Sequence, residues 1–99
     1  MRYSNPRKLT TENIREYERK DTAVYFLLNR YKNPIYVGHS KNLQHRLKAI
    51  VYGRADYDQF KHKRTLKKKA KYYKRAYTKL SKARKIETKK KKEMRYNVG

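Results

Sequence analysis

The chain contains no cysteine, and only eight of its 99 residues are Asp or Glu. The first absence excludes disulfides and thiolate metal sites, and three scattered histidines offer no zinc spacing instead. The second leaves 30 Lys and Arg with at most eight acidic partners and a formal net charge of +22. Apolar runs are short as well. The longest, AVYFLL at 23–28, falls far below the roughly 20 residues that a membrane-spanning helix needs. The opening MRYSNPRK lacks the apolar stretch of a secretory signal. An intracellular protein that is not secreted is therefore expected, and the chain carries no internal repeat.

What is abundant is positive charge. Ninety-nine residues suffice for one domain with a modest core. Residues 1–21 hold six basic and four acidic side chains, whereas 22–99 hold 24 and four, so the excess belongs to the body rather than to a tail. Self-repulsion on this scale calls for an anionic partner. Nucleic acid is the first expectation, because a basic face that covers phosphates releases their counterions. An acidic membrane surface ranks second.

Along the chain, TTENIREYERK predicts a short helix capped by Thr10 or Thr11, with Glu12 at its favourable end and Ile14 and Tyr17 turned inward. Residues 1–21 read as an accessory lead-in and 22–99 as the main domain. AVYFLL, apolar without alternation, predicts a strand covered on both faces. After the turn NRYKNP, Pro34 opens IYVG as the second strand of an antiparallel hairpin. Ser40 is expected to cap a helix with Leu43, Leu47, Ile50 and Val51 along one side, Arg46 on the shoulder and Gly53 as the stop. In RADYDQFKHKRTLKKKA, Phe60 and Leu66 suit a short helix. KYYKRAYT predicts a third strand, and Ser81 a cap for a last helix reaching about Lys92, with Ala83, Ile86, Glu87 and Met94 on one face. The expected class is α+β, a small three-stranded antiparallel sheet flanked by helices.

Five pieces then stand in register: AVY at 23–25, YVG at 36–38, SKNLQHR ending at Arg46, Glu87 in the last helix, and YNV at 96–98. Eleven residues separate Tyr25 from Tyr36, and ten separate Tyr36 from Arg46. A lone YVG means little, but this joint spacing resembles the GIY-YIG endonuclease family over residues 22–98. The resemblance implies hydrolysis of DNA phosphodiester bonds by a stand-alone domain using one divalent ion, Mg²⁺ or Mn²⁺. Tyr25 and Tyr36 would lie side by side near the attacking water, one of them ionised because Arg46 and nearby lysines lower a phenol pKa that is ordinarily about 10. His39 would assist them. Arg46 would fork onto the phosphate, Glu87 would hold the metal ion, and Asn97 would play a supporting role. Gly38 would leave room for the phosphate, and the helix start beyond it would present N–H groups to the anion. Two positions depart from the family pattern. Ala23 replaces the first glycine, and Ile50 stands where many members have a histidine, whose part His39 would take.

Tyrosines interleave with cations in KKKAKYYKRAYTKLSKARK, which suits stacking and phosphate contact. Lys41, Lys71, Tyr73, Lys74 and Arg75 are the expected nucleic-acid-binding residues, with double-stranded or branched DNA as the partner and no membrane. Taken singly, these features have plainer readings: strand tyrosines at a sheet edge, an arginine whose stem covers apolar surface, a carboxylate among lysines. The competing function is a non-catalytic basic nucleic-acid-binding protein of ribosomal or chromatin-like type.

Overall fold

The computed structural model describes residues 2–52 and 69–94. Its elements are β1 (Arg7–Lys8), α1 (Thr11–Tyr17), β2 (Ala23–Leu28), β3 (Pro34–Ser40), α2 (Leu43–Tyr52), β4 (Tyr72–Tyr77) and α3 (Leu80–Met94). The helix expected around Phe60 and Leu66, the stop at Gly53 and the supporting Asn97 lie outside the described residues. The class is α+β, with an antiparallel sheet in the order β1-β4-β2-β3.

The sheet has four strands rather than the expected three. The addition is β1, whose Arg7 and Lys8 pair with Tyr73 and Tyr72 of β4. Two charged residues carry no strand pattern of their own; the partner strand confers the conformation. Strand β2 lies inside, between β4 and β3, and all six of its residues are buried, as its unbroken apolar run requires. The β2–β3 hairpin is closed by Asn29, whose side-chain oxygen accepts from the N–H groups of Tyr31 (2.9 Å) and Asn33 (3.0 Å). Lys32 takes the left-handed conformation there, at φ 65°.

Side chains alternate across the sheet and build a core on each face. Ala23, Tyr25, Leu27 and Tyr73 pack with Ile14 of α1 and with Leu43, Leu47 and Ile50 of α2. Val24, Phe26, Leu28, Val37 and Ala76 pack with Ala83 and Ile86 of α3. The lead-in expected to be accessory thus supplies an edge strand, a helix and the fully buried Ile14. Thr10 caps α1 by accepting from Asn13 N–H at 3.2 Å. Tyr17, expected inward, is instead exposed beneath the Arg7 guanidinium, 4.5 Å from the ring centre.

Two caps differ from expectation. Helix α2 is capped by Asn42, whose Oδ1 accepts from His45 N–H at 3.1 Å, while Ser40 Oγ accepts from Asn42 N–H at 3.1 Å and tightens the preceding turn. Helix α3 starts one residue ahead of Ser81, with the Lys79 carbonyl accepting the first helical bond from Ala83 N–H at 2.9 Å.

Glu18 ties the lead-in to the sheet. Its Oε1 accepts from Arg75 Nε (2.5 Å) and Tyr77 Oη (3.0 Å), and its Oε2 from Tyr73 Oη (2.5 Å) and Arg7 Nη1 (3.3 Å). The carboxylate is completely buried, and only such dense pairing offsets the cost of taking a charge out of water.

Candidate active site

The predicted site residues gather around one strand. In β3, Tyr36 and Gly38 point to the same face as Tyr25 of β2, and His39 points to the other. On the first face the Tyr25 and Tyr36 rings lie with centroids 6.2 Å apart, tilted by 36°. Arg46 reaches this side from α2 and donates Nη1 to the His39 carbonyl at 3.4 Å. On the opposite face, Glu87 of α3 is hydrogen-bonded through Oε2 to His39 Nδ1. The other oxygen, Oε1, accepts from Lys91 Nζ at 2.9 Å. Among the described residues β3 is the outermost strand on this side of the sheet, and His39 links its two faces, its carbonyl accepting from Arg46 and its ring bonded to Glu87. The charge of Glu87 is felt at both phenols.

Gly38 has a different task from the one expected. It sits opposite Tyr25 in the ladder. A Cβ there would lie 2.7 Å from Tyr25 Oη, 2.8 Å from Tyr25 Cζ and 2.9 Å from Tyr36 Cε2. The missing side chain makes room for the two phenols. Any larger residue would push both rings off their positions.

Both phenols are raised above the ordinary phenol range, opposite in direction to the lowering expected. Burial pushes Tyr25 far above the ordinary phenol range, and neighbouring Tyr36 adds to the rise; Arg46 opposes both without cancelling them. Tyr36 is pushed up to about 12, first by burial and then by the charge of Glu87, with Arg46 again opposing. The lowering sought from Arg46 is real in sign but too small. Tyr25 Oη is buried, beside the Arg46 guanidinium and the Tyr36 phenol.

The start of α2 does not offer N–H groups to an anion either. Leu43 N–H donates to the Asp21 carbonyl at 3.1 Å and Gln44 N–H to the Arg19 carbonyl at 3.2 Å. His45 N–H is taken by Asn42 Oδ1 and Arg46 N–H by the Asn42 carbonyl. An anion here has to be held by side chains.

Among the described residues no group of three or more His, Cys, Asp or Glu could enclose a metal ion. Among the described residues Glu87 is the one carboxylate at the site, its side chain 14% exposed. One carboxylate suits Mg²⁺, which commonly takes one or two and completes its shell with water and substrate phosphate oxygens. The donor set therefore fits an ion shared with a phosphate-bearing substrate, once His39 and Lys91 yield their places on Glu87.

The expected nucleic-acid face divides. Lys41 and Lys71 are exposed. Lys74 lies over the rings of Tyr3 (5.5 Å) and Phe26 (5.1 Å). Tyr73 and Arg75 are removed from that role by Glu18. Tyr73 is fully buried with its hydroxyl on the carboxylate, and Arg75 is paired to it through Nε. Sequence reasoning missed Arg84, which stands one turn before Glu87 and lines a cleft with Arg46; the signal was its i, i+3 spacing from the expected metal ligand. No helix among the described residues is long and apolar enough to cross a membrane.

No family model matches the sequence, and no curated protein matches it. Solved structures do. The magnesium-bound GIY-YIG N-terminal endonuclease domain of UvrC from Thermotoga maritima matches with a TM-score of 0.69 at 21% identity, over 89% of this chain and 97% of that one. A point mutant of the same domain, bound to its catalytic divalent cation, matches with a TM-score of 0.70 at 21% identity, over 89% and 96% of the two chains. At this identity the likeness establishes the fold, which is that of GIY-YIG endonuclease domains.

Proposed function

We propose that this chain, folded as a GIY-YIG domain, is a stand-alone DNA endonuclease that hydrolyses phosphodiester bonds with one divalent ion, Mg²⁺ or Mn²⁺. The observation that carries the reading is the meeting of Tyr25, Tyr36 and Arg46 from one side of the sheet with Glu87 from the other, at β3. These groups come from four elements and more than sixty positions of sequence.

Arg46 grips the scissile phosphate, where a planar guanidinium supplies two donors and meets the charge that grows on the non-bridging oxygens. Glu87 holds the ion, which when bound supplies electrophilic stabilisation of the departing 3′ oxygen. Tyr36 orients the attacking water by a hydrogen bond, and Tyr25 does the same from deeper in the site. As the new P–O bond forms and the bond to the 3′ oxygen breaks, the water's proton passes by way of a non-bridging phosphate oxygen to the departing 3′ oxygen. His39 positions the Glu87 carboxylate before the ion arrives. Asn97 keeps its proposed supporting role. The +22 net charge holds the DNA, by contacts that carry no base readout of their own. The protein acts inside the cell, where DNA is held.

The test is nicking of supercoiled plasmid in Mg²⁺, Mn²⁺ or EDTA by the wild type, Glu87→Gln and Arg46→Ala. Nicking is expected from the wild type with a divalent ion only, and from neither variant. If all three bind plasmid and none nicks it under any divalent ion, the enzyme reading fails and a non-catalytic DNA-binding protein stands in its place.

A further inference from the structure

Beside Arg46 a cleft of about 320 Å³ opens between the β3–α2 junction, with His39, Lys41, His45 and Arg46, and the first turns of α3, with Leu80 and Arg84. It shares His39 and Arg46 with the candidate active site, so the two are continuous. No acidic side chain is among its described lining residues. The side chains of Lys41 and Arg84 are exposed and make no hydrogen bond or ion pair with any described residue. The N–H groups at the start of α2 are already occupied, so whatever anion enters is met by these cations.

Position along α3 gives the cleft its meaning. Arg84 and Glu87 are three residues apart, which is about 4.5 Å of helical rise. Successive phosphates of a strand advance by about 3.4 Å along the duplex axis. The helix that would hold the ion at the scissile phosphate therefore also carries an exposed guanidinium one turn away, on a side chain long enough to reach a neighbouring phosphate. The volume lies at the lower end of small-ligand pockets, about 300–1,000 Å³, room for one phosphate with its sugar rather than for a bare ion.

We propose that this cleft is a subsite for the backbone phosphate adjacent to the one that is cut, bound by Arg84 and Lys41 with His45 at the rim. The identity of the neighbouring phosphate rests on the nuclease reading; the existence of a phosphate site does not.

Two measurements test it. After the cut site is mapped on a duplex, the linkages on either side are replaced one at a time by uncharged methylphosphonate. The wild type is expected to lose about tenfold in kcat/KM when the linkage seated in the cleft is neutral, the size of one charged hydrogen bond. Arg84→Ala loses part of that on the native duplex and responds less than the wild type to that neutral linkage, and Arg84→Lys recovers part of the loss. A wild type indifferent to every neutral linkage, or an Arg84→Ala variant that responds to each as the wild type does, overturns the subsite. The second measurement is the salt dependence of duplex binding in EDTA, which needs no cleavage. The double variant Lys41→Ala, Arg84→Ala should reduce the slope of log K against log salt by about 0.9, the value for one phosphate no longer neutralised. An unchanged slope overturns the phosphate site even where the nuclease reading survives. A reduced slope in a protein that cuts nothing keeps the phosphate site and removes the nuclease.

Discussion

Glu18 and Glu87 are both glutamates among many cations, and the sheet puts them in opposite situations. Glu18 is sealed on the β1/β4 side with two arginines and two tyrosine hydroxyls on its oxygens. Glu87 stands at the β3 edge with one histidine and one lysine, and that lysine is about half exposed. The carboxylate with the larger retinue is a structural tie, because it is itself fully buried and a ligand would have to displace four partners at once. The carboxylate with two partners, one of them reaching into water, is the one that can exchange them for an ion. Pairing with cations does not separate structure from function; the ease of leaving does.

Breaking the first carboxylate gives the largest effect. Glu18→Ala strands two guanidiniums and two hydroxyls, and a loss of about 3–5 kcal/mol is expected in urea denaturation. A stability near that of the wild type would show that Glu18 is not a tie. Alkali sharpens the second region. The folded protein holds the Tyr36 proton to about 12, above its ordinary 10. The stability from this group is therefore full below pH 10 and is lost as pH rises through 12. Phenolate absorbance should accordingly show Tyr36 ionising above the ordinary phenol range. In Glu87→Gln, which removes the charge that raises it, Tyr36 should ionise earlier; an unmoved titration would place the two residues out of electrostatic reach. The smallest effect is on folding in that same variant. Glu87→Gln, which keeps the shape and one acceptor oxygen, should change urea stability by no more than about 1.5 kcal/mol, so that a complete loss of nicking by a folded protein reads as chemistry.

The parts of the fold legible in the sequence were those fixed by apolar pattern: β2 as a two-sided strand, the hairpin to β3, and the stripe of α2. Strand β1 was illegible because its two charged residues borrow their conformation from β4. In KYYKRAYT the alternation placed Tyr73, Arg75 and Tyr77 on one side, yet nothing local said that this side met a buried carboxylate more than fifty residues earlier. The spacing of Tyr25, Tyr36, Arg46 and Glu87 was legible, and so was the tight fit at Gly38, though not its cause. The protonation of the phenols was not, since the sequence shows the cations nearby but not the depth of burial that outweighs them.

The carbonyls of Arg19 and Asp21, which close off the start of α2, together with Gln44 Nε2 donating to the Glu18 carbonyl at 3.1 Å, clamp the linker between α1 and β2 to the helix that bears Arg46. The aim of that guanidinium is thus an adjustable setting, remote from the reaction centre. Lengthening or stiffening this linker would retune how the arginine meets a backbone without altering a single group that touches it.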